Sequence, residues 1–88
     1  MTLEVHLPYA HSLKDKRQVL RSLKDRLRSH FNVAVAEVDH QELWQRATIG
    51  VVSISNEQAH VSRLLESVEE EAERILNGGL TNSEIEIY

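Results

Sequence analysis

An α+β fold with the element order β-α-β-β-α-β is predicted by three observations. Short apolar/polar alternations stand near both ends of the chain, two amphipathic helical runs lie inside them, and the middle is β-rich with one short polar break. Strand-helix-strand crossovers are right-handed almost without exception. The economical result is a four-stranded antiparallel sheet in the order 4-1-3-2 with both helices on one face, the ferredoxin-like arrangement.

In the first strand Leu3, Val5 and Leu7 alternate with Thr2, Glu4 and His6, the period of a half-buried strand. Pro8 ends it, because proline cannot donate to a sheet ladder. Ser12 caps the first helix, and Asp15 at its third position suits the positive end of the helix dipole. That helix is expected over 13–29, with Leu13, Leu20, Leu23 and Leu27 on one face. Residues 31–38 are rich in valine and alanine and read as the second strand. Residues 39–43 are polar and form a turn. Residues 45–55, with Thr48, Ile49, Val51, Val52 and Ile54, make the third strand and close a hairpin.

Ser55 or Asn56 is expected to cap the second helix, with Gln58 completing a capping box with Ser55. Val61, Leu65, Val68, Ala72 and Ile75 share one face of it, with Leu64 and Leu76 alongside. Gly78-Gly79 ends the helix. Residues 84–88 alternate Ile85 and Ile87 with Glu84, Glu86 and Tyr88 and read as the last strand.

The 88 residues are expected to form one domain, 1–88. The chain has no cysteine, which excludes disulfides, thiolate metal sites and cysteine nucleophiles. No apolar run approaches the ~20 residues of a membrane span, and the N-terminus lacks the basic-then-apolar pattern of a secretory signal. A cytoplasmic protein with no membrane contact is expected. The net charge is −4 but unevenly spread. Residues 1–30 hold seven Lys/Arg against three Asp/Glu, whereas residues 57–88 hold two against eight. The whole chain would be repelled by phosphate. A local basic surface still acts, since salt at ~0.15 M screens charges more than about 8 Å apart.

That surface is a line of five cations, Lys14, Arg17, Arg21, Lys24 and Arg28, spaced 3, 4, 3 and 4 apart. The spacing puts them on one stripe of the first helix, roughly 20 Å long at 1.5 Å per residue. Three roles fit it: a solvated flank with pairs such as Arg21–Asp25, a seat for an acidic protein surface such as that around Glu69 and Glu71, or a track for an RNA backbone. Trp44, the only tryptophan, and Arg46 flank Gln45 at the hairpin end. They form an interaction anchor, unless Trp44 closes the bottom of the core.

The third strand is apolar on both faces, with Ala47, Ile49 and Val51 on one and Gly50, Val52 and Ile54 on the other. The second strand shows the same pattern. Strands of that kind are usually covered on both sides, so a homodimer through the open sheet face or a sheet edge is expected. The predicted central strands, the first and third, carry no aromatic residue for base stacking. The Cys-x-x-Cys of metal-carrier domains is absent, and the Pro8-Tyr9-Ala10-His11 loop has neither glycine nor arginine to cradle a phosphate. Glu37, Asp39 and His40 cluster near the turn and read as a solvated turn rather than a metal site. No catalytic constellation is visible, so a non-enzyme without metal or cofactor is expected.

Two segments carry a resemblance. Ser12-Leu13-Lys14-Asp15-Lys16-Arg17 opens the first helix, and Ala36-Glu37-Val38-Asp39-His40-Gln41-Glu42-Leu43-Trp44-Gln45-Arg46-Ala47 spans the hairpin. Together they resemble the YlxP-like bacterial family of small proteins of unknown function, over nearly the whole chain. The resemblance implies a ferredoxin-like fold. It also implies a link to translation or ribosome maturation, because genes of this family tend to lie beside those for a translation initiation factor and a ribosome-binding factor. It assigns no catalytic residue.

Overall fold

The computed structural model describes residues 1–88, with β1 (Thr2–His6), α1 (Leu13–His30), β2 (Ala34–Asp39), β3 (Arg46–Val52), α2 (Gln58–Leu76) and β4 (Leu80–Glu84). The strands form one antiparallel sheet in the order β2-β3-β1-β4, the predicted order read from the other edge. Leu3 stands opposite Ile49, Val5 opposite Ala47 and Val35 opposite Val51. These residues point at the helices. Leu20, Leu23 and Leu27 of α1, with Leu65, Val68, Ala72 and Leu76 of α2, close over them to make the core. Each large side chain buried here contributes roughly 1.5–3 kcal/mol. No helix is long and apolar enough to cross a membrane.

The α1 cap forms as its sequence predicts. Ser12 Oγ accepts from the Asp15 amide at 3.1 Å, and Asp15 Oδ2 accepts from the His11 amide at 3.0 Å. The Ser12 hydroxyl thus satisfies one free amide of the first turn, and the Asp15 carboxylate holds the amide just before the cap. The α2 cap differs from expectation. Ser55 Oγ accepts from the Glu57 amide at 3.1 Å instead, and the helix starts at Gln58 behind Glu57, whose side chain makes no cap bond.

The last strand also departs from its predicted place. Asn77 adopts the left-handed conformation, φ 46°, and Gly78 follows at φ 94°. The chain therefore turns straight onto β1: Gly79 O accepts from the His6 amide at 2.7 Å. A Cβ at Gly79 would lie 2.9 Å from His6 O and 3.1 Å from Leu76 O, so the approach requires glycine. Pairing then begins with Leu80 opposite Val5 and ends with Glu84 opposite Thr2. β1 has run out by that point, and the predicted strand residues Ile85 and Ile87 lie beyond β4 with no partner strand.

The face of the sheet away from the helices is divided. Along β2 and the end of β3 it is apolar: Ala34, Ala36 and Val38 are exposed, Val52 is 67% exposed, and Ile54 lies just beyond. Val38 covers Gly50, approaching to 3.0 Å of where a Cβ would stand. The remainder is polar, with Glu4, His6, Arg46, Thr48 and Asn82. Glu4 accepts from Thr48 Oγ1 at 2.9 and 3.1 Å. The second face of β3 is thus apolar only in its later half, not along its whole length.

Candidate functional site

The side chain that organises the hairpin end of the molecule is Lys16. It is 1% exposed, the only charged residue in the core. Its ammonium has three N–H groups and meets three acceptors: His40 O at 2.6 Å, Leu43 O at 2.7 Å and Glu37 Oε2 at 2.6 Å. The Glu37 contact is an ion pair whose angle falls outside a well-aligned hydrogen bond. Glu37 is therefore held against α1, which corrects its assignment to a solvated turn. His40 takes a left-handed conformation, φ 63°, with its amide donating to Asp39 Oδ1 at 2.7 Å. Gln45 Nε2 donates to Pro8 O at 3.1 Å and Ala10 O at 3.3 Å. The β1–α1 loop, the first turn of α1 and the hairpin end are thus tied into one unit. No three His, Asp or Glu side chains converge to hold a metal ion.

The basic stripe runs from this unit along the outer flank of α1. Lys14, Arg17, Arg21 and Arg28 are exposed and Lys24 is half-buried. None of the five is ion-paired with a carboxylate, and Arg21–Asp25 does not close. Arg28 donates to Val35 O at 2.6 Å, which seats the stripe along β2, the edge strand. A shallow cleft of about 280 Å³ lies between them, lined by Arg17, Leu20, Arg21, Lys24 and Glu37. The acidic α2 does not neutralise the stripe. The Arg74 guanidinium holds the Glu71 carboxyl below its usual range, and the nearby charges of His30 and Arg26, off the stripe, act in the same direction. Glu69 instead accepts from Ser83 of β4 at 2.7 Å.

At the hairpin end Trp44 is 53% exposed and Leu43 is exposed beside it. Trp44 therefore does not close the core. Arg46 is the first residue of β3, on the polar part of the open sheet face, 3.9 Å from Glu4.

Residues 1–85 match the family described as "Protein of unknown function (DUF503)". The chain belongs to the DUF503 family. It is similar to the uncharacterized protein YlxP of Bacillus subtilis (strain 168), 36% identical over 59 residues, a stretch that covers 67% of this chain and 64% of that protein. The YlxP-like resemblance read from the two motifs is thereby shown.

The structure gives those two motifs of this DUF503 chain a shared physical meaning. Ser12, Asp15 and Lys16 of the first motif, with Glu37, Asp39, His40 and Gln45 of the second, are the residues that make the Lys16 unit. Lys16 stands in the first motif without a role that local pattern alone assigns. Its signal was present: Lys16, Leu20, Leu23 and Leu27 are spaced 4, 3 and 4 apart, so the lysine occupies a leucine position on the buried stripe.

Proposed function

We propose that this DUF503 chain is a non-catalytic, cytoplasmic, RNA- or ribosome-associated module that engages a phosphate backbone through Lys14, Arg17, Arg21, Lys24 and Arg28. The supporting observation is that these aligned cations lack carboxylate partners along ~20 Å of helix. Counterion release on phosphate binding rewards such a row. The translation link implied by the family resemblance points the same way. The test is a gel shift with RNA at ~50 mM salt, where phosphate-driven affinity is strongest. A retarded band that Arg21→Glu removes supports the proposal; no shift under those conditions ends it.

The same protein is proposed to be a homodimer. Ala34, Ala36, Val38, Val52 and Ile54 form a one-sided apolar patch continuous with the free β2 edge, and a second copy supplies an identical patch around a two-fold axis. Light scattering at about 100 µM reads this directly, since self-association follows concentration. A dimer mass that Val52→Asp halves is the expected result, and a monomer mass contradicts it.

Exposed Leu43 and Trp44 favour a second reading, a protein-binding adaptor that uses the hairpin end and the open sheet face. Its partner would resist salt, whereas an RNA partner would be lost as salt rises.

A further inference from the structure

Two hollows adjoin at the hairpin end and share His6 and Arg46. One, of about 550 Å³, is lined further by Glu42, Leu43, Trp44 and Gln45. The other, of about 350 Å³, is completed by Glu4, Val5, Thr81 and Asn82. Several of these groups are already committed. Glu4 is bonded to Thr48, the Gln45 amide to Pro8 and Ala10, and Thr81 Oγ1 to Glu4 O at 3.2 Å. The Trp44 indole, the His6 imidazole and the Asn82 amide make no such bonds, and Arg46 has only its distant approach to Glu4.

An exposed aromatic plane beside a guanidinium and an imidazole, with a free amide in the adjoining hollow, is a set that stacks on an unpaired nucleobase and meets its polar edge. The backbone on either side of Trp44 is pinned, by Lys16 and the His40 carbonyl at Leu43 and by the Leu7 amide at Gln45 O. Stacking therefore costs little ordering of the chain. A peptide anchor would call for apolar walls, and only Leu43, Trp44 and Val5 among the lining residues are apolar. The loop is also tied by Lys16 to the first turn of α1, where the cationic stripe begins.

We propose that the Trp44–His6–Arg46 hollow seats an unpaired base of a single-stranded RNA whose phosphates follow the α1 stripe. This rests on the RNA reading above and adds to it a base-contacting residue away from the stripe.

Trp44 is the only tryptophan, so its fluorescence reports on its own site. The wild type is titrated at ~50 mM salt with a single-stranded RNA of roughly eight nucleotides. An abasic ribose-phosphate chain of the same length is titrated in parallel, with affinity read from the anisotropy of an end label. The base-bearing chain is expected to quench Trp44 and to bind roughly 5- to 150-fold tighter than the abasic one, the size of one stacking contact. Trp44→Ala should erase that difference, Trp44→Phe should keep most of it, and Arg17→Glu/Arg21→Glu should weaken both chains together. Equal, salt-sensitive binding of both chains with no quenching would overturn the base seat and leave the stripe reading standing. Quenching and tight binding that survive the Arg17/Arg21 reversal would uphold the seat and overturn the stripe. Absence of binding by either chain would overturn both.

Discussion

Lys16 and its neighbours Lys14 and Arg17 stand within one turn of the same helix, yet they meet opposite surroundings. Lys16 is buried, with its ammonium enclosed by a carboxylate and two carbonyls. Lys14 and Arg17 are exposed and have no carboxylate partner. A buried cation is tolerated only where every donor meets an acceptor, so Lys16 is bound to one geometry and serves folding. An exposed cation in water contributes little to stability and stays available to a partner. The helix thus separates its cations by face: one lysine fixes the hairpin, and the outer row is held by no carboxylate.

The largest expected effect lies at the buried side. Lys16→Ala leaves Glu37 and two carbonyls without their cation, and should cost about 3 kcal/mol in a urea unfolding curve, the lower end for a broken buried pair because Glu37 keeps some exposure. Lys16→Met/Glu37→Leu should recover at least half of that loss, because the unpaired carboxylate goes as well. A double variant no better than the single one would mean that the carbonyl contacts carry the stabilisation.

Gln45→Ala comes next, at about 1 kcal/mol for its bonds to Pro8 O and Ala10 O. Its midpoint shift should come with a change in the Trp44 emission, since the hairpin end loosens. On the exposed side Arg17→Glu/Arg21→Glu should move stability by less than about 0.5 kcal/mol. A small gain is expected, since it converts a crowded row of like charges into a mixed one. A loss as large as that of Lys16→Ala would erase the division of labour between the two faces.

The elements that were legible in the sequence are those where local pattern and packing agree. The 3.6-residue spacing of leucines sets α1, Ser12 and Asp15 set its start, and of the apolar face of α2 Leu65, Val68 and Ala72 are buried, with Val61 and Ile75 partly buried against the core and Leu76, alongside, fully so. β4 lies at Leu80–Glu84, which reads as a polar loop, rather than at 84–88, where Ile85 and Ile87 alternate as a strand should. The choice between them rests on where the turn at Asn77 and Gly78 delivers the chain and on how far β1 extends, which are both long-range facts. The stripe residues were identified by spacing alone. Their freedom from carboxylates, and the exposure of Trp44, depend on how the loops pack. Lys16 stood in the sequence as a charge on a leucine stripe, but its three acceptors come from a hairpin 21–27 residues away, beyond any helical period.

The most direct test of the stripe is the salt dependence of RNA affinity, measured for the wild type and Arg17→Ala/Arg21→Ala. With five aligned cations on a single strand, log affinity against log salt should have a slope of about −3.5, and removing two of them should make it shallower by about 1.4. A slope near zero, or one that the double substitution leaves unchanged, would contradict the assignment of this helix flank to a phosphate backbone.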